Sequence, residues 1–284
     1  MDLPKDINST FVWVDTLSDP YSDDSIARRL SILCVKDEII SRVLDMPIER
    51  IEELRNMNTA LSNKMKYFAI NLKKELEAIG VRVLALAFDV CNRKAATAAI
   101  KSLPLEWQQI DVLINNAGLA LGLEPEYEGS FEDWDMMIDT NIKGLLTMTR
   151  LVVPRMVARD SGHIINIGSV AGDTAYAGGN VYCGTKAAVK AITDGLRIDL
   201  AHTAVRVTNV KPGLVETNFS NVRFHGDDAR ADKVYEGVKP LTGADIADVV
   251  FYAVSAPAHV QIAEVLVLAT HQASGSVLHR ETKK

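Results

Sequence analysis

At 284 residues, with 48% hydrophobic and 24% charged residues, the chain has a globular composition and can bury a sizeable core. A net charge of −6 and a pI of 5.6 weigh against a nucleic-acid binder held by bulk electrostatics. The three cysteines, Cys34, Cys91 and Cys183, lack C-x-x-C spacing; they suggest neither a disulfide framework nor a metal site, and they fit a reduced, cytoplasmic setting.

The N-terminus, MDLPKDINST, has no basic segment followed by an apolar one, so no signal peptide is expected. No apolar run approaches the roughly 18 residues that span a membrane. Residues 25–57 and 60–79 read as mostly helical, the second as an amphipathic helix ended by Gly80, the first glycine of the chain. Short strands are conceivable at 10–14 and 31–35. DEIISRVLDMPIERIEELR, residues 37–55, has the pattern of a helix-turn-helix. However, 13 acidic residues meet 11 basic ones over residues 1–75, and phosphate contact needs a basic face. Residues 1–70 thus form an atypical, mostly helical segment with no nucleic-acid partner expected.

From residue 81 onward the pattern changes. Apolar runs at 81–90, 110–118, 162–169, 205–213 and 263–270 are rich in Val, Ile and Leu without strict alternation, as for parallel strands covered on both faces. Helical stretches lie between them at 93–103, 131–160, 182–203 and 243–257, with Pro154 marking a kink in the longest. This alternation predicts a doubly wound α/β sheet. Such sheets bind ligands beyond the C-terminal strand ends, where NAG, GS and KPG follow three of the strands.

Tyr182 and Lys186 stand four residues apart on a predicted helix, on one face. An ammonium beside a phenol favours the phenolate, which could exchange a proton with a substrate hydroxyl. Other residues at these strand ends have ordinary readings beside chemical ones. Ser169 suits a turn or cap, Asn141 a solvated or backbone-bonded helix residue, and Asp89 a cap on the helix that follows. Arg223 either pairs bidentately with a substrate carboxylate or is a surface arginine.

Taken together, NNAG at 115–118, NIKG at 141–144, IGS at 167–169, YCGTK at 182–186 and PGLVET at 212–217 resemble the short-chain dehydrogenase/reductase family, from about Asn71 onward. LINNAGLALGLEP, NVKPGLVETNFSNVRFHGD and ASGSVLHR are similar to its branch acting on 3-hydroxy acids such as serine, allo-threonine and 3-hydroxypropionate. The resemblance implies a Rossmann-like fold, NADP as cofactor with NAD not excluded, and a cytoplasmic homotetramer. It implies that Tyr182 is the general acid/base, that Lys186 tunes it and holds the nicotinamide ribose, and that Ser169 polarises the substrate oxygen. Asn141 would hold a relay water. Asp89 would face the adenine, Asn115, Ala117 and Gly118 would line the cofactor, and Pro212, Gly213, Val215 and Thr217 would bracket its nicotinamide end.

The family opens with a strand and a T-G-x-x-x-G-x-G turn that carries the pyrophosphate, and no glycine precedes Gly80 here. Residues 71–284 therefore read as a truncated domain whose first strands and glycine-rich turn are missing or replaced. A catalytically impaired scaffold or oligomer partner is the alternative expectation, and a DNA-binding fusion a more remote one.

Overall fold

The computed structural model describes residues 82–281 continuously, together with residues 74, 77, 78 and 80 and two strands near the N-terminus. In chain order the elements are β1 (Phe11–Thr16), β2 (Arg29–Ile32), β3 (Leu86–Ala87), α1 (Arg93–Lys101) and β4 (Val112–Asn115). There follow α2 (Phe131–Ile138), a π-helical segment (Asp139–Gly144), α3 (Leu145–Ala158), β5 (Gly162–Ile167) and α4 (Asn180–Asp199). The chain continues through β6 (Val205–Pro212), α5 (Phe219–Arg223), α6 (Asp228–Tyr235), α7 (Gly243–Ser255) and β7 (Glu264–Val267).

One seven-stranded sheet has the order β3-β2-β1-β4-β5-β6-β7. From β1 through β4, β5 and β6 to β7 every pairing is parallel. The fold is the expected doubly wound, Rossmann-like one. The short strands read at 10–14 and 31–35 are present, shifted to Phe11–Thr16 and Arg29–Ile32, and lie in the sheet between β3 and β4. The strand after them therefore has a neighbour linking it to the sheet. β2 runs antiparallel to both neighbours. Because β2 is only four residues long, only Leu86 and Ala87 of the predicted 81–90 strand pair with it. The helix-turn-helix pattern at 37–55 lies outside the described residues.

Alternate residues of the central strands feed two cores, as covering on both faces requires. Leu113, Ile164 and Val207 pack with Val90, Ile100, Met148, Val152 and Met156 beneath α1 and α3. Val112, Ile114, Ile165 and Val210 pack against Val250 of α7 on the other side. α7 starts with a reciprocal capping box between Thr242 and Asp245. The long predicted helix 131–160 runs through Pro154, and its irregularity falls instead at Asp139–Gly144. Helices α5 and α6 escape a periodicity reading because they are five and eight residues long. Among the described residues no helix is long and apolar enough to cross a membrane.

A buried histidine joins two central strands. His163 of β5 is 2% exposed, and its Nε2 lies 2.7 Å from Thr208 Oγ1 of β6. Burial, with Arg206 nearby, lowers its pKa from 6.5 to about 3. The unfolded chain therefore binds a proton that the folded one rejects between those two values. The stability His163 contributes is complete above 6.5 and declines as pH falls towards about 3, by about 1.4 kcal/mol per pH unit. Chemical denaturation of His163→Asn between about pH 7 and pH 4 is expected to show a shallower fall in stability than the parent protein.

Candidate active site

The strand ends deliver the chemistry-bearing side chains. Ser169 follows β5 and Tyr182 lies in the first turn of α4, with Lys186 one turn later. The three are 8%, 7% and 6% exposed, so all lie out of bulk solvent. Ser169 Oγ accepts from Ala171 N at 3.1 Å, capping the next turn, and also hydrogen-bonds the Tyr182 phenol. Its ordinary reading, as a cap, therefore holds.

Lys186 Nζ donates to the Ile167 carbonyl at 2.9 Å and lies 5.9 Å from the centre of the Tyr182 ring. Burial lowers its pKa to about 8. Burial acts oppositely on Tyr182 and pushes the phenol well above its ordinary value. Tyr176 reinforces that rise, while the Ser169 hydrogen bond and the Arg223 charge oppose it. Burial thus opposes the phenolate that the sequence expects Lys186 to favour. Desolvation of the phenolate dominates, and the charge nearby that favours it is Arg223.

Asn141 holds the next layer. The π-helical widening of Asp139–Gly144 places it inside the site, as such bulges often do. Its Oδ1 accepts from Leu119 N at 2.8 Å, while Nδ2 donates to Leu119 O at 2.8 Å and to Thr185 Oγ1 at 2.9 Å. Both amide hydrogens are used, so a water held by Asn141 would have to donate to one of its carbonyl oxygens. A Cβ on Gly118 would lie 3.2 Å from Lys186 Nζ and 3.3 Å from Asn141 Oδ1, so glycine lets this loop meet both. On the far side of the segment, a Cβ on Gly144 would lie 2.7 Å from Val90 Cγ2.

The other predicted positions divide. Asn115 ends β4 and donates to Asn166 Oδ1 at 2.8 Å and to Thr149 Oγ1 at 3.3 Å, while its own buried Oδ1 has no partner. Ala117 packs on the core under α3. Gly213, after Pro212, donates to Val267 O at 2.7 Å, and Gln272 Oε1 accepts from Leu214 N at 2.8 Å. The Val215 carbonyl accepts from Tyr235 Oη at 3.2 Å, and Thr217 Oγ1 caps the start of α5 by accepting from Phe219 N. Asp89 accepts from Cys91 N at 2.8 Å, while Asn92 caps α1, so Asp89 is not the cap of that helix. Arg223 reaches into the site: its guanidinium carbon is 5.8 Å from the Tyr182 ring centre.

Three contributors escaped the sequence reading. Tyr176 accepts from Arg223 Nη1 at 2.9 Å. Lys211 is 4% exposed and joins Asp173 Oδ2 at 2.7 Å to Glu264 Oε1 at 2.6 Å, tying the loop after Ser169 to β6 and β7. Gln272, from the C-terminal segment, pins the turn after β6. Only Lys211 carried a signal, as a charged residue inside an apolar strand pattern.

Residues present fit the nicotinamide end of a dinucleotide. Lys186 and Gly118 are juxtaposed at a strand end, and the orphaned Asn115 Oδ1 is a polar atom awaiting a donor. By contrast, residues 17–28, between β1 and β2, contain no glycine and three aspartates, Asp19, Asp23 and Asp24.

A family model described as short chain dehydrogenase matches residues 54–228. A probable NADP-dependent dehydrogenase of Haemophilus influenzae is 54% identical over 195 residues, covering 68% of this chain and 77% of that protein. The NADP-dependent 3-hydroxy acid dehydrogenase YdfG of Salmonella typhi is 54% identical over 211 residues, covering 74% and 84%. A solved closed form of serine dehydrogenase complexed with NADP+ is 53% identical, covers 68% of this chain and 79% of that one, and superposes with a TM-score of 0.65.

Removing the Asn141 amide leaves both polar groups of the buried Leu119 peptide unpaired. Asn141→Ala is expected to lower stability by about 1–3 kcal/mol in urea denaturation.

Proposed function

Because this chain belongs to the short-chain dehydrogenase family, an oxidoreductase family, we propose that it transfers hydride between NADP and the CH–OH carbon of a small 3-hydroxy acid. Serine, allo-threonine and 3-hydroxypropionate are the substrates in view. The observation that carries this reading is the meeting of Ser169, Tyr182 and Lys186 with the Arg223 cation. NADP+, when bound, supplies the hydride acceptor.

In the oxidising direction the substrate hydroxyl lies between Ser169 Oγ and Tyr182 Oη. Tyr182 takes its proton as the C–H pair leaves and the carbonyl forms; in reduction Tyr182 returns that proton. Ser169 donates to the oxygen as its charge develops. Lys186 holds the nicotinamide ribose, and Asn141 keeps the Gly118 loop against it. Asn115, Ala117 and Gly118 line the cofactor, Pro212, Gly213, Val215 and Thr217 bracket its nicotinamide end, and Asp89 serves the adenine end. Arg223 takes the substrate carboxylate. NADP is preferred over NAD on the strength of the relatives' names.

We also propose a homotetramer working in the cytoplasm. Large apolar side chains on outer faces support assembly: Ile198 of α4 and Tyr252 of α7 are 75% and 65% exposed.

Purified protein is expected to reduce NADP+ with 3-hydroxypropionate, serine or allo-threonine. Tyr182→Phe should lose at least about 100-fold in kcat while NADPH binding, read by nicotinamide fluorescence, is retained. Absence of both turnover and NADPH binding in the parent protein would refute the proposal. Arg223→Leu should raise KM for the hydroxy acid by about 10-fold or more, with NADPH affinity unchanged.

A further inference from the structure

Arg223 stands between two tyrosines. Its guanidinium carbon lies 5.4 Å from the Tyr176 ring centre and 5.8 Å from that of Tyr182. Nη1 donates to Tyr176 Oη at 2.9 Å and Nε to the Gly122 carbonyl at 3.1 Å. Gly122 N returns a bond to the Arg223 carbonyl at 2.9 Å, so backbone and side chain are both fixed. Nη2 is buried and has no hydrogen-bond partner among the described residues. Nε and Nη1 thus anchor the guanidinium, and the Nη2 donors are held in reserve.

The titratable and charged groups around Tyr182 come from three directions. Lys186 and Cys183 lie on its own helix, Tyr176 on the preceding loop and Arg223 on α5, while the Ser169 hydroxyl comes from the end of β5. No carboxylate is among the groups acting on Tyr182. The Arg223 side chain itself bonds a carbonyl and a phenol, both neutral, and so can respond to an anion brought by the substrate.

From this arrangement we infer that Arg223 is a shared cation, serving both the substrate carboxylate and the Tyr182 phenolate, so that the two anions compete for it. The inference rests on the hydroxy-acid reading above and adds a coupling to it. A cation beside a phenol favours the phenolate. A carboxylate seated on Arg223 cancels much of that effect, and Tyr182 then keeps its proton to higher pH. By linkage, deprotonating Tyr182 weakens the hold on the acid. Acids are bound best while Tyr182 is protonated, the state needed to reduce a 3-oxo acid. A neutral alcohol does not report this coupling. Tyr176 is a positioning residue here, acting through its bond to Nη1.

The test uses NADP+-loaded enzyme with fluorinated tyrosine incorporated, whose more acidic phenol brings the titration into an accessible range. The Tyr182 signal is identified in 19F NMR by its loss in Tyr182→Phe. Propionate, an unreactive carboxylate, is expected to raise the Tyr182 titration by about one pH unit, and 1-propanol to leave it unmoved. Arg223→Met should begin at the higher value and ignore propionate, whereas Arg223→Lys, which keeps the charge, should retain part of the response. A Tyr182 signal indifferent to propionate in the parent protein overturns the inference, as does an equal response in Arg223→Met. Turnover of 3-hydroxypropionate is measured on the same samples. Turnover without the propionate response defeats the coupling alone, and a complete lack of turnover defeats the hydroxy-acid reading.

Discussion

One buried side-chain amide organises the site. Asn141 makes three hydrogen bonds, two to the Leu119 peptide and one to Thr185, and so joins the loop after β4 to α4. Thr185 in turn donates to the Tyr182 carbonyl at 2.7 Å, extending the connection to the residue that bears the phenol. Satisfied buried networks of this kind rigidify because each bond fixes the geometry of the next. The amide could not reach Leu119 from the outer face of a regular helix. The π-helical segment and the close approach of Gly144 to Val90 are the structural conditions for it.

Burial then sets the electrostatics, with opposite consequences for two neighbours. Removing water disfavours charge on either group, raising the Tyr182 pKa and lowering that of Lys186. The pair is therefore not self-sufficient as an acid–base device. Ser169 and the Arg223 charge favour the Tyr182 anion, so a residue of α5 acts on one of α4. Spacing along one helix pairs Tyr182 with Lys186, but it cannot reveal Arg223, which reaches the same phenol from α5.

The strength and the limit of sequence reading follow from the range of each signal. The parallel sheet was legible because strands covered on both faces are uniformly apolar, as the buried run Val112–Asn115 illustrates. The motif residues were legible because they cluster where such strands end. Asn141 bonding Leu119, Tyr176 bonding Arg223 and Gln272 bonding Leu214 are contacts between distant segments with no periodicity to betray them. The two first strands could be placed but not oriented: 10–14 and 31–35 read as strand segments, yet nothing in them predicts that β2 runs antiparallel.

A chain of net charge −6 that is to receive the anionic substrate proposed above must keep its carboxylates from opposing it. The structure does this by pairing. Asp173 and Glu264 lie on Lys211, and Asp194 on Arg197 and Lys190. Lys186 spends its hydrogen bond on a neutral carbonyl and Arg223 on a carbonyl and a phenol, so neither gives up its charge to a protein carboxylate. Two cations with neutral partners therefore lie beside Tyr182 inside an acidic protein. This division, with acids paired and two cations left to neutral partners, is the electrostatic setting in which the proposed hydroxy acid and dinucleotide would be received.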